Sequence, residues 1–295
     1  MYKRQTVVSN ALPRILHDLH GGESAYTWVV TATLLTTTAS TPIWGKLADL
    51  TSKKLLMQVA ILIFVLGSFV AGLSGSIGML IACRAVQGVG AGGILAMTQV
   101  IMAAMVSPRE RGRYSGYLGA TFAVATIAGP LIGGVIVDTS WLGWRWCFYV
   151  GVPFAVAALI VLQLTLRLPV VKRQVRIDYL GAALITGAVC DLLIWVSLAG
   201  QQFAWGSGTS YLLIALGVVL LVLAAVVELK VPEPIIPLRL FRHRTISLAT
   251  GAGLFIGVAM YGATIFLAQY FQIARGASPT SSGLRTMPML SLIHI

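Results

Sequence analysis

The chemistry-bearing residues of this chain are few, and they sit in unusual places. Arg84 lies in the run Leu80-Ile81-Ala82-Cys83-Arg84-Ala85-Val86-Gln87-Gly88-Val89-Gly90-Ala91-Gly92-Gly93, well inside an apolar stretch. A guanidinium at that depth must face protein or a water-filled cavity, because facing lipid is costly. One helical turn later come Gln87 and a ladder of glycines, of which Gly88 and Gly92 form a bare seam for close helix approach. The string Gly88 to Gly93 also satisfies a dinucleotide-loop pattern, but no strand or βαβ unit surrounds it, so a nucleotide reading fails.

Three other places could do work. Asp191 is an acid in the middle of an apolar run, which by default marks a functional site, with a hydrogen-bonded structural aspartate as the alternative. The segment Gly45-Lys46-Leu47-Ala48-Asp49-Leu50-Thr51-Ser52-Lys53-Lys54 reads as a tight turn. There Asp49 can meet a helix N-terminus or a cation, while Lys53 and Lys54 grip the membrane face. In Gly129-Pro130-Leu131-Ile132-Gly133-Gly134, the proline frees the carbonyl of Thr126 and bends a helix. Gly129 and Gly133 leave one face of that helix bare for another to rock against.

The elements that must hold these residues follow from composition. The 295 residues are 57% hydrophobic and 10% charged, with a mean hydropathy of +0.88, against roughly 25% charged in soluble domains. A water-soluble enzyme is excluded. Eight runs are long enough to cross a hydrocarbon core as helices: about 27–44, 56–73, 79–105, 114–137, 147–166, 180–198, 211–227 and 246–271. Alternating strands of a closed barrel are absent from the pattern, so the expected class is an all-α, multi-pass membrane protein.

A net charge of +12 and a pI near 10.1 suggest nucleic acid at first sight. The cations fall instead in the short breaks between apolar runs. One alternate set of loops carries Lys46, Lys53, Lys54, Arg109, Arg111, Arg113, Arg167, Lys172, Arg173, Arg176, Lys230, Arg239, Arg242 and Arg244, and the other only Arg14, Arg145 and Arg275. The excess puts the first set, and the protein's N-terminus, in the cytoplasm. The expected partners are therefore the lipid bilayer and not nucleic acid. Cys83, Cys147 and Cys190 lie in apolar runs and imply no disulfide framework, and the loop histidines His17, His20 and His243 support no metal site.

Two ends fit poorly. Residues 1–5 place Lys3 and Arg4 where a first span should be in mid-membrane, and residues 290–295, Leu-Ser-Leu-Ile-His-Ile, interrupt a starting helix. Both read as translated strands of one transposon-end adaptor, which makes the expected authentic sequence an internal fragment of about Thr6 to Met289.

These motifs resemble the major facilitator superfamily over essentially the whole authentic length. The segment around Asp49 is similar to its loop signature, with Leu50 and Ser52 departing from it. The Arg84 run is similar to its fourth-helix signature, and the Gly129-Pro130 run to its helix-five antiporter signature. The finer resemblance is to the fourteen-span drug:proton antiporters of EmrB/QacA type. It rests on Thr6-Val7-Val8-Ser9-Asn10-Ala11-Leu12-Pro13, on Trp144-Arg145-Trp146-Cys147-Phe148-Tyr149 and on Asp178-Tyr179-Leu180-Gly181. The first-helix acid of that family would fall at Arg4.

The resemblance implies a six-helix amino-terminal bundle over 6–168, two inserted helices over 178–229, and the start of a second bundle over 238–289. It further implies proton-coupled efflux of amphipathic or cationic compounds across a bacterial cytoplasmic membrane by alternating access, with no cofactor. Gly45, Asp49, Lys53 and Lys54 would gate the cytoplasmic face. Arg84, Gln87 and Gly88 would serve proton coupling, and Gly129, Pro130, Gly133 and Gly134 would form the antiporter helix. Export of a metabolite by the same cycle is the nearest alternative, and a non-transporting sensor or scaffold one of another class. An intramembrane protease suggested by Gly72-Leu73-Ser74-Gly75 lacks a base, since no histidine lies in any run.

Overall fold

Each apolar run becomes helix because no water is present in lipid to satisfy its backbone. A computed structural model of the chain describes residues 15, 18–19, 23–139, 143–168, 178–232, 234–276 and 285. The helices are α1 (Glu23–Leu50), α2 (Lys53–Gly72), α3 (Ile77–Met105), α4 (Arg111–Asp138), a single turn α5 (Trp146–Tyr149), α6 (Gly151–Thr165), α7 (Tyr179–Leu198), α8 (Gly208–Lys230) and α9 (Arg244–Gln269). A 3-10 turn at Leu238–Arg242 precedes α9, and a π turn at Tyr270–Ala274 follows it. All eight expected runs are helical, and no strand occurs among the described residues, save one isolated bridge between Ala199 and Phe203. Among the described residues, five segments are long and apolar enough to cross a membrane: α2, α3, the stretch Trp146–Thr165, α7 and α8.

One expectation needs correction. The segment from Gly45 to Lys54 is not a turn throughout, because α1 continues through Gly45 and Asp49 to Leu50 and α2 begins at Lys53. Nothing between residues 45 and 50 breaks a helix, and the chain reverses only at Thr51 and Ser52. Ser52 supplies the reason for the new start: in extended conformation, its Oγ accepts from the backbone N–H of Leu55 at 3.4 Å. That satisfies one of the donors a helix N-terminus leaves open. Asp178 and Ser207 begin α7 and α8 in the same way, accepting from Gly181 N (2.8 Å) and Ser210 N (3.2 Å). Between α7 and α8 the chain turns at Gly200, whose φ of +80° suits a residue without Cβ.

The chain forms two compact units. One takes in residues 15–105 and 148–238, hence α1–α3 and α6–α8. Within it α3 packs between α1 and α2, α6 lies on α2, and α7 pairs with α8 while also resting on α1. Trp44, Ala48, Leu56, Ala60 and Met97 form a buried cluster where α1, α2 and α3 meet. The other unit takes in residues 1–14, 106–147 and 239–295, and holds α4 and α9. Helix α4 runs without interruption across Gly129 and Pro130.

Candidate functional site

Helix α3 has so little side chain on two of its faces that its neighbours touch its backbone. A Cβ added at Gly88 would lie 2.5 Å from the carbonyl oxygen of Thr33, and one at Gly92 would lie 2.5 Å from that of Thr37, both on α1. On the other side, a Cβ at Gly90 would lie 2.7 Å from the carbonyl of Ala60 on α2. One at Gly93 would strike the ring of Trp44. The glycine is reciprocated on α2, where a Cβ added at Gly67 would lie 2.9 Å from the backbone nitrogen of Gln87. Glycine is required at these positions because any larger residue would force the helices apart.

With the backbones that close, α1 hydrogen-bonds α3 through its short polar side chains. Thr33 Oγ1 donates to the carbonyl of Arg84 (3.1 Å), Thr37 Oγ1 to that of Gly88 (3.1 Å) and Ser40 Oγ to that of Val89 (3.4 Å). Trp44 Nε1 donates to the same Val89 carbonyl at 3.0 Å. Trp44 is 6% exposed, so it packs inside the protein and does not belong to an interfacial belt.

Arg84 sits at the head of this seam. It is 8% exposed and Gln87 is 6% exposed. Arg84 Nε donates to the carbonyl of Val29 on α1 (3.3 Å), and Nη1 donates to Gln87 Oε1. Gln87 Nε2 in turn donates to Ser68 Oγ on α2. The charge is thus relayed through α3 to both neighbouring helices by a chain of short hydrogen bonds. No carboxylate takes part among the described residues, so a buried positive charge is balanced only by carbonyl and amide dipoles. The sequence places Arg84 and Gln87 together through their three-residue spacing, but Ser68 and Val29 carry no motif that would announce them.

Of the residues expected to gate the cytoplasmic face, Gly45, Lys53 and Lys54 are half-buried and Asp49 is exposed at the end of α1. Lys54 Nζ donates to the carbonyl of Gln163 on α6 (2.7 Å), and Gln58 Nε2 to Gln163 Oε1 (2.8 Å). Lys54 is therefore engaged with α6. In the other unit, Gly129 is half-buried, while the side-chain surroundings of Pro130, Gly133 and Gly134 lie outside the described residues. The two chain ends, residues 1–5 and 290–295, also lie outside them.

Asp191 is half-buried on α7, with an Oδ2 that is buried and lacks a hydrogen-bond partner. That oxygen faces α8, 2.8 Å from where a Cβ of Gly217 would be. Close by, Trp195 Nε1 donates to Ser210 Oγ (2.8 Å), and the Trp195 and Trp205 rings meet edge to face at 5.7 Å. Helix α7 also touches α1, where Thr186 Oγ1 donates to the carbonyl of Ala39 (3.4 Å). Ser74, the nucleophile a protease would need, is fully buried and donates to the carbonyl of Ala71 (2.7 Å). It is a helix-end hydrogen bond.

The described residues thus form a helical, multi-pass membrane protein with a hydrogen-bonded arginine inside a glycine-lined helix seam. The profile of the Major Facilitator Superfamily matches residues 4–294, and the chain belongs to that family. It is 39% identical over 289 residues to the efflux pump dotC of Dothistroma septosporum, a match covering 96% of this chain and 49% of the relative. It is 34% identical over 285 residues to the multidrug transporter protein MdtP of Bacillus subtilis, covering 97% and 52%. It is also 35% identical over 291 residues to the acurin A biosynthesis cluster MFS-type transporter of Aspergillus aculeatus, covering 96% and 52%. The chain spans about half the length of these relatives.

Proposed function

We propose that the whole protein exports amphipathic, often cationic compounds across the cytoplasmic membrane by alternating access, driven by protons moving inward. The observation that carries this reading is Arg84, a charge buried among membrane helices and held by hydrogen bonds to Val29 of α1 and, through Gln87, to Ser68 of α2. Intramembrane charge on that scale is retained where it serves a pathway. In this reading Arg84, Gln87 and Gly88 set the proton-coupling region, and Asp191 supplies an intramembrane acid. Gly45, Asp49, Lys53 and Lys54 gate the cytoplasmic face, while Gly129, Pro130, Gly133 and Gly134 give α4 a sliding surface. The α7–α8 pair is the insertion that distinguishes fourteen spans from twelve, and the distribution of Lys and Arg puts the N-terminus inside.

The test uses the full-length protein in vesicles with an imposed proton gradient and a fluorescent cationic dye. Arg84→Lys keeps the charge but loses the planar fork, so gradient-driven dye export should fall by about tenfold or more, the effect of removing one hydrogen bond to a charged group. Export that is indifferent to the gradient would remove the proton-coupled reading. A second reading, export of a small-molecule metabolite, is favoured by the relative named for acurin A biosynthesis. Dye export that an unrelated range of drugs fails to compete would favour it.

A further inference from the structure

At the end of the α7–α8 pair that faces Lys46, two carboxylates converge on one glycine. Asp178 caps α7 and is 7% exposed, and Glu228 lies in the last turn of α8 and is 3% exposed. Each uses one oxygen. Asp178 Oδ1 accepts from Gly181 N at 2.8 Å, and Glu228 Oε2 accepts from the backbone N–H of Ile236 at 3.0 Å. Each leaves the other oxygen buried and without a partner: Asp178 Oδ2 and Glu228 Oε1. Both of these oxygens crowd the same place, the position a Cβ of Gly181 would take, with Glu228 Oε1 at 2.7 Å from it and Asp178 Oδ2 in contact with it.

Two ionised carboxylates so placed would repel each other in a site shielded from water, and both free oxygens would remain unsatisfied. One proton removes both costs, because a carboxyl donates to a carboxylate. The charge count agrees. The charged groups that act on Glu228 are Asp178 on the same helix pair and Lys46 near the end of α1. With Lys46 cationic, one proton on the pair leaves the cluster neutral. Among the described residues, the other ionisable side chains on these helix ends, Tyr179 and Lys230, are exposed. Gly181 is required here as well, because a Cβ would clash with both oxygens.

The geometry points to Asp178 and Glu228 as a proton-binding site: a carboxyl–carboxylate pair holding a single proton at the end of the α7–α8 hairpin, with Lys46 of α1 as its counter-charge. The site stands apart from Arg84 and does not depend on what the whole protein exports. Loss of its proton leaves two like charges facing each other, so proton release should loosen α7 from α8 at this end while strengthening the pull of the pair on Lys46 of α1.

Infrared spectroscopy of the full chain in lipid vesicles tests it, with Asp191→Asn as background so that the other membrane-embedded acid is silent. A deuterium-sensitive carboxylic C=O band is expected at neutral pH. It should vanish in both Glu228→Gln and Asp178→Asn, because an amide beside the lone remaining acid donates where the shared proton did. Lys46→Gln should carry the band to higher pH, since removing a cation favours the protonated form. Absence of the band at neutral pH would mean two ionised carboxylates or a bound metal cation, and would overturn the proposal. So would a band that survives either single substitution, because one acid would then hold the proton alone. The same band in the unsubstituted chain, compared with Glu228→Gln, gives the answer should Asp191→Asn not fold.

Discussion

Replacing Gly88 by alanine adds one methyl group, and the α1–α3 seam gives that methyl nowhere to go. The new Cβ would sit 2.5 Å from the carbonyl oxygen of Thr33 and 3.1 Å from its Cα, with Thr36 Oγ1 in contact. Two of these three atoms are backbone, so relief requires α1 to move. Overpacking of this kind costs about 1–3 kcal/mol. Moving α1 also weakens the bonds from Thr33 to Arg84 and from Thr37 to Gly88, each worth about 0.6 kcal/mol in a membrane protein. Against this, alanine in a helix gains about 1 kcal/mol over glycine.

The net expectation is a loss of about 1–3 kcal/mol. Thermal unfolding in detergent micelles measures it, with Trp44 as an internal fluorophore because its indole rests on Gly93 of the same seam. The control is Gly45→Ala on α1, where nothing lies within 4 Å of the added methyl, so only the propensity gain of about 0.5–1 kcal/mol remains. A Gly88→Ala chain as stable as the unsubstituted one, or one indistinguishable from Gly45→Ala, would refute the close-packed seam.

Three further outcomes follow from particular contacts. Ser52→Ala removes the cap of α2 and should lower stability by about 1 kcal/mol, with Ser52→Asn restoring it in the same unfolding assay. Trp44→Phe keeps an aromatic side chain but leaves Ser40 as the Val89 carbonyl's one side-chain donor from α1, so amide exchange in the last two turns of α1 should accelerate several-fold. Asp191→Asn in the full-length protein should reduce proton-driven dye export if the acid carries protons, and unchanged export would leave it as a packing residue between α7 and α8.

Hydrophobic run length was enough to place all eight helices, because in lipid the backbone has no alternative partner and length alone decides what can cross. Arg84 and Gln87 were legible for the same reason: a charge among apolar residues is conspicuous and its neighbour one turn away is predictable. Ser68 was not, because a serine in an apolar run is unremarkable until the packing of α2 on α3 brings it to Gln87. The acids at 178 and 228 read as ordinary helix-end residues, one a cap and the other a counter-charge to nearby lysines. Fifty residues separate them, and only the antiparallel pairing of α7 with α8 brings them to one glycine. The turn after α1 is shorter than the Gly45–Lys54 segment suggests, because nothing in 45–50 ends the helix and the serine cap at 52 marks the boundary.

The seam on α3 also fixes what the three helices can do together. Its hydrogen bonds end on main-chain carbonyls, and its contacts depend on glycines at fixed spacing, so the partners fit in one register only. A shift of α3 by a single residue would put Val89 and Ala91 where Gly88 and Gly90 now meet bare backbone. The α1–α2–α3 group therefore behaves as a keyed joint, able to tilt as one piece but unable to slide within itself.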